Sequence, residues 1–171
     1  SLHRYINKFK VTMSRKLLTI VAIYLTSVVL MALQKPLFLL WYAEQAAEAS
    51  SAELLGVSLN GLLLDSTVAG YISAIPWLIM LVAEWIAIPD KAMRRVLNTY
   101  FVIIALIASL MVAVDFGLFR YWGFRLDSTI IPYLATPKEA AASVTWSDLW
   151  PAVSLFVAYA ALMITVWRGV V

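Results

Sequence analysis

The sequence predicts an all-α integral membrane protein, a four-helix transmembrane bundle with short interfacial helices in its outer loops. Of its 171 residues, 63% are hydrophobic and only 13% are charged, and the mean hydropathy is +0.87. An ordinary soluble domain has about 45–50% apolar and about 25% charged residues. The polar residues of this chain are too few to cover a soluble fold of its length. The composition therefore excludes a soluble enzyme, a nucleic-acid-binding protein and a disordered region.

Four apolar stretches are long enough to cross a bilayer, which takes about 20 residues. The first is predicted at about 17–43, with a bend near Pro36 because proline interrupts the hydrogen-bond ladder of a helix. The other three are predicted at about 66–88, 96–114 and 149–167.

Capping signals predict where further helices begin. The Ser-x-x-Glu pattern at 50–53 is a capping box, and it precedes the apolar segment 54–64, which is too short to span a bilayer. Segment 136–142 repeats the pattern, so we expect two short helices at the membrane interface. The fourth span is entered through a cap at 147–148, with Pro151 in its first turn.

The distribution of lysine and arginine predicts the orientation of the chain. A basic leader, residues 1–16, precedes a transmembrane domain at 17–168, and nine of the 13 basic residues fall on the side of that leader. Only four fall on the other side, where the acidic residues of the loops at 44–65 and 115–148 collect. Because basic residues stay cytoplasmic, both termini are expected in the cytoplasm and both loops outside.

Two residue patterns indicate how the spans meet the bilayer and one another. Tryptophan and tyrosine collect at membrane boundaries, and small residues four positions apart allow helices to pack closely. The outer aromatic belt contains Trp41, Tyr42, Tyr121, Trp122, Tyr133, Trp146 and Trp150, and the inner belt contains Trp85 and Trp167. The small-residue faces are Ala105, Ser109 and Ala113 in the third span, Gly70 and Ala74 in the second, and Ser154 and Ala158 in the fourth.

Three acidic residues lie at predicted span ends, where a charge is tolerated if it is paired or wet. Asp65 is placed to cap the second span. Glu84 is expected to meet cytoplasmic water or to pair with an arginine at 94–95. Asp115 is expected to pair with Arg120.

The densest functional cluster follows the third span, at 115–127. Arginine offers a planar fork that matches phosphate oxygens, and aromatic rings lie at headgroup depth, so the cluster suits a lipid phosphate. The candidate headgroup contacts are Arg120, Tyr121, Trp122, Arg125 and Asp127. In the alternative interpretation the two arginines only reach the interface and pair with Asp115 and Asp127.

The sequence offers no candidate catalytic residue. Cysteine is absent, and the only histidine is His3 in the leader, so neither a nucleophile activated by histidine nor a metal-ligand set is present. We therefore predict no catalytic residue, no metal site and no cofactor within these 171 residues.

Three segments resemble the membrane domain of the lipoteichoic acid synthase family, phosphoglycerol transferases of the sulfatase-like, alkaline phosphatase superfamily. Gly61-Leu62-Leu63-Leu64-Asp65, with Pro76 beyond it, is similar to the Gly-Leu-Arg-Phe-Asp entry to the family's second helix, although Leu63 stands where the family often has arginine. Segment 115–127 resembles the arginine-bearing exit from the third helix. Segment 133–146 resembles the linker before the fourth.

The resemblance implies a larger enzyme in the cytoplasmic (inner) membrane of a bacterium. The family has a fifth span and then an extracytoplasmic catalytic domain with a threonine nucleophile and a divalent metal, usually manganese, both expected beyond Val171. By this resemblance, the chain anchors and orients the catalytic domain of a phosphoglycerol or phosphoethanolamine transferase, or of a sulfatase-like hydrolase. Its partners would be membrane lipids, including an anionic phospholipid donor. The donor, the acceptor and the oligomeric state stay open.

The alternative is a non-enzymatic membrane module, such as a transporter fragment or a scaffold subunit. A transporter would be expected to line its path with charges inside the membrane. The ionisable residues of this sequence lie near the ends of the predicted spans instead, which favours the anchoring role.

Overall fold

The computed structural model describes residues 2–47, 49–86, 88–123, 125 and 145–171, and those residues form helices joined by turns. The helices are α1 (Leu2–Ala32), α2 (Gln34–Trp41), α3 (Ala43–Ala46), α4 (Ser51–Val82), α5 (Asp90–Trp122) and α6 (Trp146–Val170).

Four helical segments are long and apolar enough to cross a membrane. They are Arg15–Trp41, Ser51–Val82, Asp90–Arg120 and Leu149–Val170. The predicted all-α fold with four spans is confirmed, and the chain is a multi-pass membrane protein. The interfacial helix predicted at 136–142 lies outside the described residues.

The first span is interrupted where proline requires it. Pro36 has no N–H to donate to the carbonyl of Ala32, so the ladder of α1 ends there and Leu33 forms a turn. Leu33 keeps helical angles, with φ −62° and ψ −22°, and its carbonyl accepts from the Leu37 N–H at 3.2 Å. The predicted bend is therefore a single-residue break between α1 and α2.

Helix α4 begins at the predicted capping box. The Glu53 N–H donates to the Ser50 Oγ at 3.3 Å, and the Ser50 N–H donates to the Glu53 Oε2 at 2.8 Å. The helix then continues to Val82, so the separate short helix predicted at 54–64 is wrong. Segment 54–64 contains no proline and is rich in leucine, which favours helix. Asp65 consequently lies inside α4, and its predicted role as an N-cap is also wrong.

The helices that contain the third and fourth spans extend beyond the predicted bounds, 96–114 and 149–167, at both ends. Helix α5 ends just before Gly123, whose φ of +69° is the left-handed conformation that glycine adopts without strain, and the Gly123 N–H donates to the carbonyl of Phe119 at 2.9 Å. Helix α6 begins after Thr145, one residue before the predicted cap at 147–148, and Pro151 therefore lies in its second turn.

The described helices divide into two compact units. The first contains residues 1–101 and 166–171. In it α1 packs against α4, and a buried core forms around Ile23, Ser27, Ala69 and Phe101. The predicted small residues Gly70 and Ala74 line an open groove of about 330 Å³ beside Tyr24 and Trp77.

Trp167 belongs to the core of this first unit. Its ring is fully buried, stacks on Phe101 with the ring centroids 4.8 Å apart, and donates from Nε1 to the Ser27 Oγ at 3.3 Å. Its predicted place in an aromatic belt is therefore wrong, because a partner inside the protein satisfies both its ring and its N–H. Trp85 is 88% exposed and Trp150 is 75% exposed, as belt residues should be.

The second unit contains residues 102–165. The small-residue face predicted on α5 is confirmed, since Ala105, Ser109 and Ala113 are all buried there. The Ser109 hydroxyl donates to the Met163 Sδ at 3.7 Å, which ties α5 to α6. The corresponding face predicted at Ser154 and Ala158 is exposed, so that prediction is wrong.

Candidate functional site

The end of α5 carries the predicted headgroup cluster, and a long-range ion pair organises it. Arg125 donates from Nε at 2.9 Å and from Nη2 at 2.5 Å to the Oδ2 of Asp115. The left-handed turn at Gly123 ends α5 and precedes this contact, which joins side chains ten residues apart. The Asp115 side chain is 9% exposed and that of Arg125 is 43% exposed. The charge of the buried Asp115 carboxylate is thus balanced by Arg125, whose side chain reaches the surface.

The structure distributes the five headgroup candidates unevenly. Arg120 is exposed in the last turn of α5, and Tyr121 and Trp122 are the last two residues of that helix. Asp127 lies outside the described residues. Asp115 forms an ion pair with Arg125, and its predicted pairing with Arg120 stays a prediction. The alternative interpretation, an arginine paired with a nearby aspartate, is confirmed for Arg125.

A second ion pair, between Lys35 and Asp65, is the most buried pair among the described residues. The Lys35 Nζ donates to the Asp65 Oδ2 at 2.5 Å, and the two side chains are 12% and 9% exposed. Lys35 belongs to α2 and Asp65 to α4, so the pair holds the short helix against the long one. Sequence spacing does not predict this pair, because its partners are 30 residues apart. The available signal is a lone lysine in an apolar run, which needs a partner in a membrane.

Gly61 makes the Lys35–Asp65 pair possible. It lies one helical turn before Asp65, and the Lys35 stem crosses α4 over it so closely that a Cβ there would overlap Lys35 Cδ, Cε and Nζ. The absence of a side chain at Gly61 therefore leaves the space that the Lys35 side chain occupies.

The variant Gly61→Ala is expected to lose about 1–3 kcal/mol of unfolding free energy, because the new methyl group displaces Lys35 from a buried carboxylate. The matched control is Gly56→Ala in the same helix. There the nearest atom to a new Cβ is the Asn60 Nδ2 at 4.0 Å, so the alanine should stabilise by about 0.5–1 kcal/mol. Reversible denaturation in mixed detergent micelles, followed by circular dichroism, measures both. Equal stabilisation by the two alanines would contradict the role of Gly61.

A third ion pair joins α1 to the turn that follows α4. The Lys16 Nζ donates to the Glu84 Oε1 at 2.5 Å, and the side chains are 34% and 36% exposed. Glu84 thus pairs with Lys16 and not with an arginine at 94–95, while its exposed side chain is consistent with the alternative prediction that it meets water.

The spacing of the Lys16–Glu84 and Lys35–Asp65 pairs matches a bilayer. Nineteen positions separate Lys16 from Lys35, nineteen separate Asp65 from Glu84, and the residues between them carry no charge. At about 1.5 Å per residue the pairs are about 28 Å apart along the helix, close to the hydrocarbon thickness of about 30 Å. Two ion pairs thus lie at the two ends of an uncharged helical segment, and the length of that segment is close to the thickness of the membrane core.

The fold and these contacts define a multi-pass α-helical membrane protein in which ion pairs join its helices. No protein-family model, curated protein or solved structure matches the chain. Within the described ranges, no group of three or more histidine, cysteine, aspartate or glutamate side chains is placed to hold a metal ion. The manganese implied by the family resemblance stays a prediction about a separate catalytic domain.

Proposed function

We propose that this chain is the N-terminal transmembrane domain of a sulfatase-like phosphoglycerol or phosphoethanolamine transferase. It would anchor and orient an extracytoplasmic catalytic domain in the bacterial cytoplasmic membrane and contact the headgroup of the lipid donor. The observation that carries the proposal is the end of α5, where Arg120 is exposed and buried Asp115 holds the half-exposed Arg125.

The chemistry of the α5 end suits a phospholipid phosphate. A guanidinium donates two parallel hydrogen bonds to phosphate oxygens, and such charge-assisted bonds are stronger than neutral ones. Arg125 already donates to Asp115, so its position is set before any lipid binds. Arg120 lies in the same stretch, in the final turn of the helix. The residues of this chain would bind and orient the lipid, and the transfer reaction would belong to the catalytic domain.

The predicted orientation supports this role. Nine basic residues on the leader side, against four on the other, favour a cytoplasmic N-terminus. The end of α5 then faces outward, and an even number of spans requires one more crossing to deliver a following domain to that side.

Arg120→Gln is expected to weaken binding of phosphatidylglycerol about ten-fold to a hundred-fold, because a charge-assisted hydrogen bond is worth about 1.5–3 kcal/mol. The matched control is Lys91→Gln, which removes one exposed positive charge from the other end of α5. Native mass spectrometry of lipid retention in detergent measures both. In the enzyme that contains this domain, Arg120→Gln should also lower turnover of the lipid donor at unchanged expression. Equal retention by the two variants, together with unchanged turnover, would refute the headgroup contact.

A transporter or scaffold role is the second candidate, and the Lys35–Asp65 pair favours it. Buried ionisable residues within a span commonly mark ion or substrate paths. A flux assay with the chain alone in liposomes tests this function. Solute movement that is lost in Asp65→Asn would replace the proposed transferase role, and we expect no such movement.

A further inference from the structure

Helix α4 continues for fourteen residues on the N-terminal side of Asp65, and we call this segment, Ser51–Leu64, the α4 extension. Its residues 54–64 carry no charge, and Glu53 of the capping box is the first ionisable group beyond Asp65. The large side chains here are exposed: Leu55 63%, Val57 48%, Leu59 63%, Leu62 38%, Leu63 80% and Leu64 66%.

The exposed side chains are not confined to one face. Leu55, Leu59 and Leu63 follow one another at four-residue intervals along one side of the helix. Val57 and Leu64 lie on the opposite side from Leu55 and Leu59. A helix that is apolar on several sides is typical of a hydrocarbon environment, and a surface helix in water has a polar face instead. A rigid protein partner would cover one face, but acyl chains can cover all of them.

The ion pairs place this segment beyond the membrane core. If the Lys35–Asp65 pair lies at one edge of the hydrocarbon layer, the fourteen residues of the α4 extension reach about 21 Å further along the helix. The headgroup layer accounts for only about 5–8 Å of that distance, as the difference between the core and the whole bilayer. The α4 extension therefore reaches beyond the headgroup layer of a bilayer whose core is bracketed by the two ion pairs.

The lipid-facing surface of α4 is continuous across the level of Asp65. Leu63, Thr67, Tyr71 and Ile75 form one exposed row at four-residue spacing. The Asp65 carboxylate faces Lys35 on another side of the helix, so its charge does not interrupt this row. The exposed surface between the ion pairs thus continues onto the α4 extension.

We propose that the α4 extension is a binding surface for the acyl chains of phospholipids, and that it carries them beyond the level of the Lys35–Asp65 pair. This inference rests on the proposed function for its purpose, since a lipid whose tails contact the α4 extension presents its headgroup to an extracytoplasmic domain. Its occupant is the hydrocarbon of a phospholipid, not a second protein.

Site-directed spin labelling tests the occupant directly, because the chain contains no cysteine and one introduced thiol labels one site. The test positions are Leu55→Cys, Val57→Cys and Leu63→Cys in vesicles of phosphatidylethanolamine and phosphatidylglycerol. Leu78→Cys, 50% exposed between the ion pairs, is the control for acyl chains, and Ala47→Cys, in an exposed turn, is the control for water. Collision with oxygen reports hydrocarbon, and collision with a water-soluble nickel chelate reports solvent.

We expect the three test labels to match the Leu78 label, with high oxygen and low nickel accessibility. Labels that match Ala47 would place the α4 extension in water and overturn the inference. Labels protected from both reagents would show a protein cover, such as a second copy, and would also overturn it. The measurement needs no headgroup specificity and no turnover. If the labels report hydrocarbon while Arg120→Gln leaves lipid retention and turnover unchanged, only the proposed function is rejected. If the labels report water while Arg120→Gln lowers lipid retention and turnover, only this inference is rejected.

Discussion

Lys35→Met is expected to lower the free energy of unfolding by about 3–5 kcal/mol, the cost of leaving one partner of a buried ion pair uncompensated. The remaining Asp65 side chain is 9% exposed and too short to reach water without moving α4. Asp65→Asn should cost less, because the long Lys35 stem can carry its ammonium group to the membrane surface. Denaturation in mixed micelles, monitored by helical circular dichroism, measures both.

Two further variants determine whether burial is the cause. Lys16→Met removes the same charge from the Lys16–Glu84 pair, whose side chains are about one third exposed, and should cost less than about 1 kcal/mol. The double variant Lys35→Met with Asp65→Leu should recover most of the lost stability, since apolar replacement of a buried pair is often neutral. Equal losses at Lys16 and Lys35, or a double variant worse than both singles, would contradict this account.

Trp167→Ala is expected to cost about 3–5 kcal/mol, the range for removing a large aromatic side chain from a packed core. The ring is fully buried and stacks on Phe101, so its loss leaves a cavity and removes the donor to the Ser27 Oγ, which keeps only its own bond to the Ile23 carbonyl. Trp167→Phe keeps the stacking and removes the indole donor, and should cost about 1 kcal/mol. The same denaturation assay ranks the two variants.

The matched control for Trp167 is Trp85→Ala. Trp85 is 88% exposed, so its removal should leave the unfolding free energy within about 0.5 kcal/mol of the parent. If both alanine variants were equally mild, Trp167 would be an interface residue, as its position near the end of the fourth span suggests.

The four spans and the capping box could be predicted from sequence because their causes are local. A run of about 20 apolar residues must be helical in a membrane, where every backbone N–H and C=O needs a partner within the segment. The box needs only Ser50 and Glu53, three residues apart. The short helix expected at 54–64 failed for a related reason: nothing in that segment ends a helix, and α4 runs through it.

The candidate headgroup cluster was predictable as a set of residues but not as a geometry. Arginine and aromatic residues at a span end indicate an interface in any fold. The contact of Arg125 with Asp115 follows the turn at Gly123, whose positive φ is a property of the folded backbone.

The sequence by itself determined that this protein is helical and has four segments able to cross a membrane. Composition decides these properties, because hydrocarbon excludes charge and unpaired backbone wherever the chain lies. Only the tertiary structure decided which charges meet. Lys35 reaches Asp65 because the break before Pro36 and the missing side chain at Gly61 bring α2 close to α4. Such contacts depend on which helix faces pack together, a choice made by the whole fold and written in no single stretch of sequence.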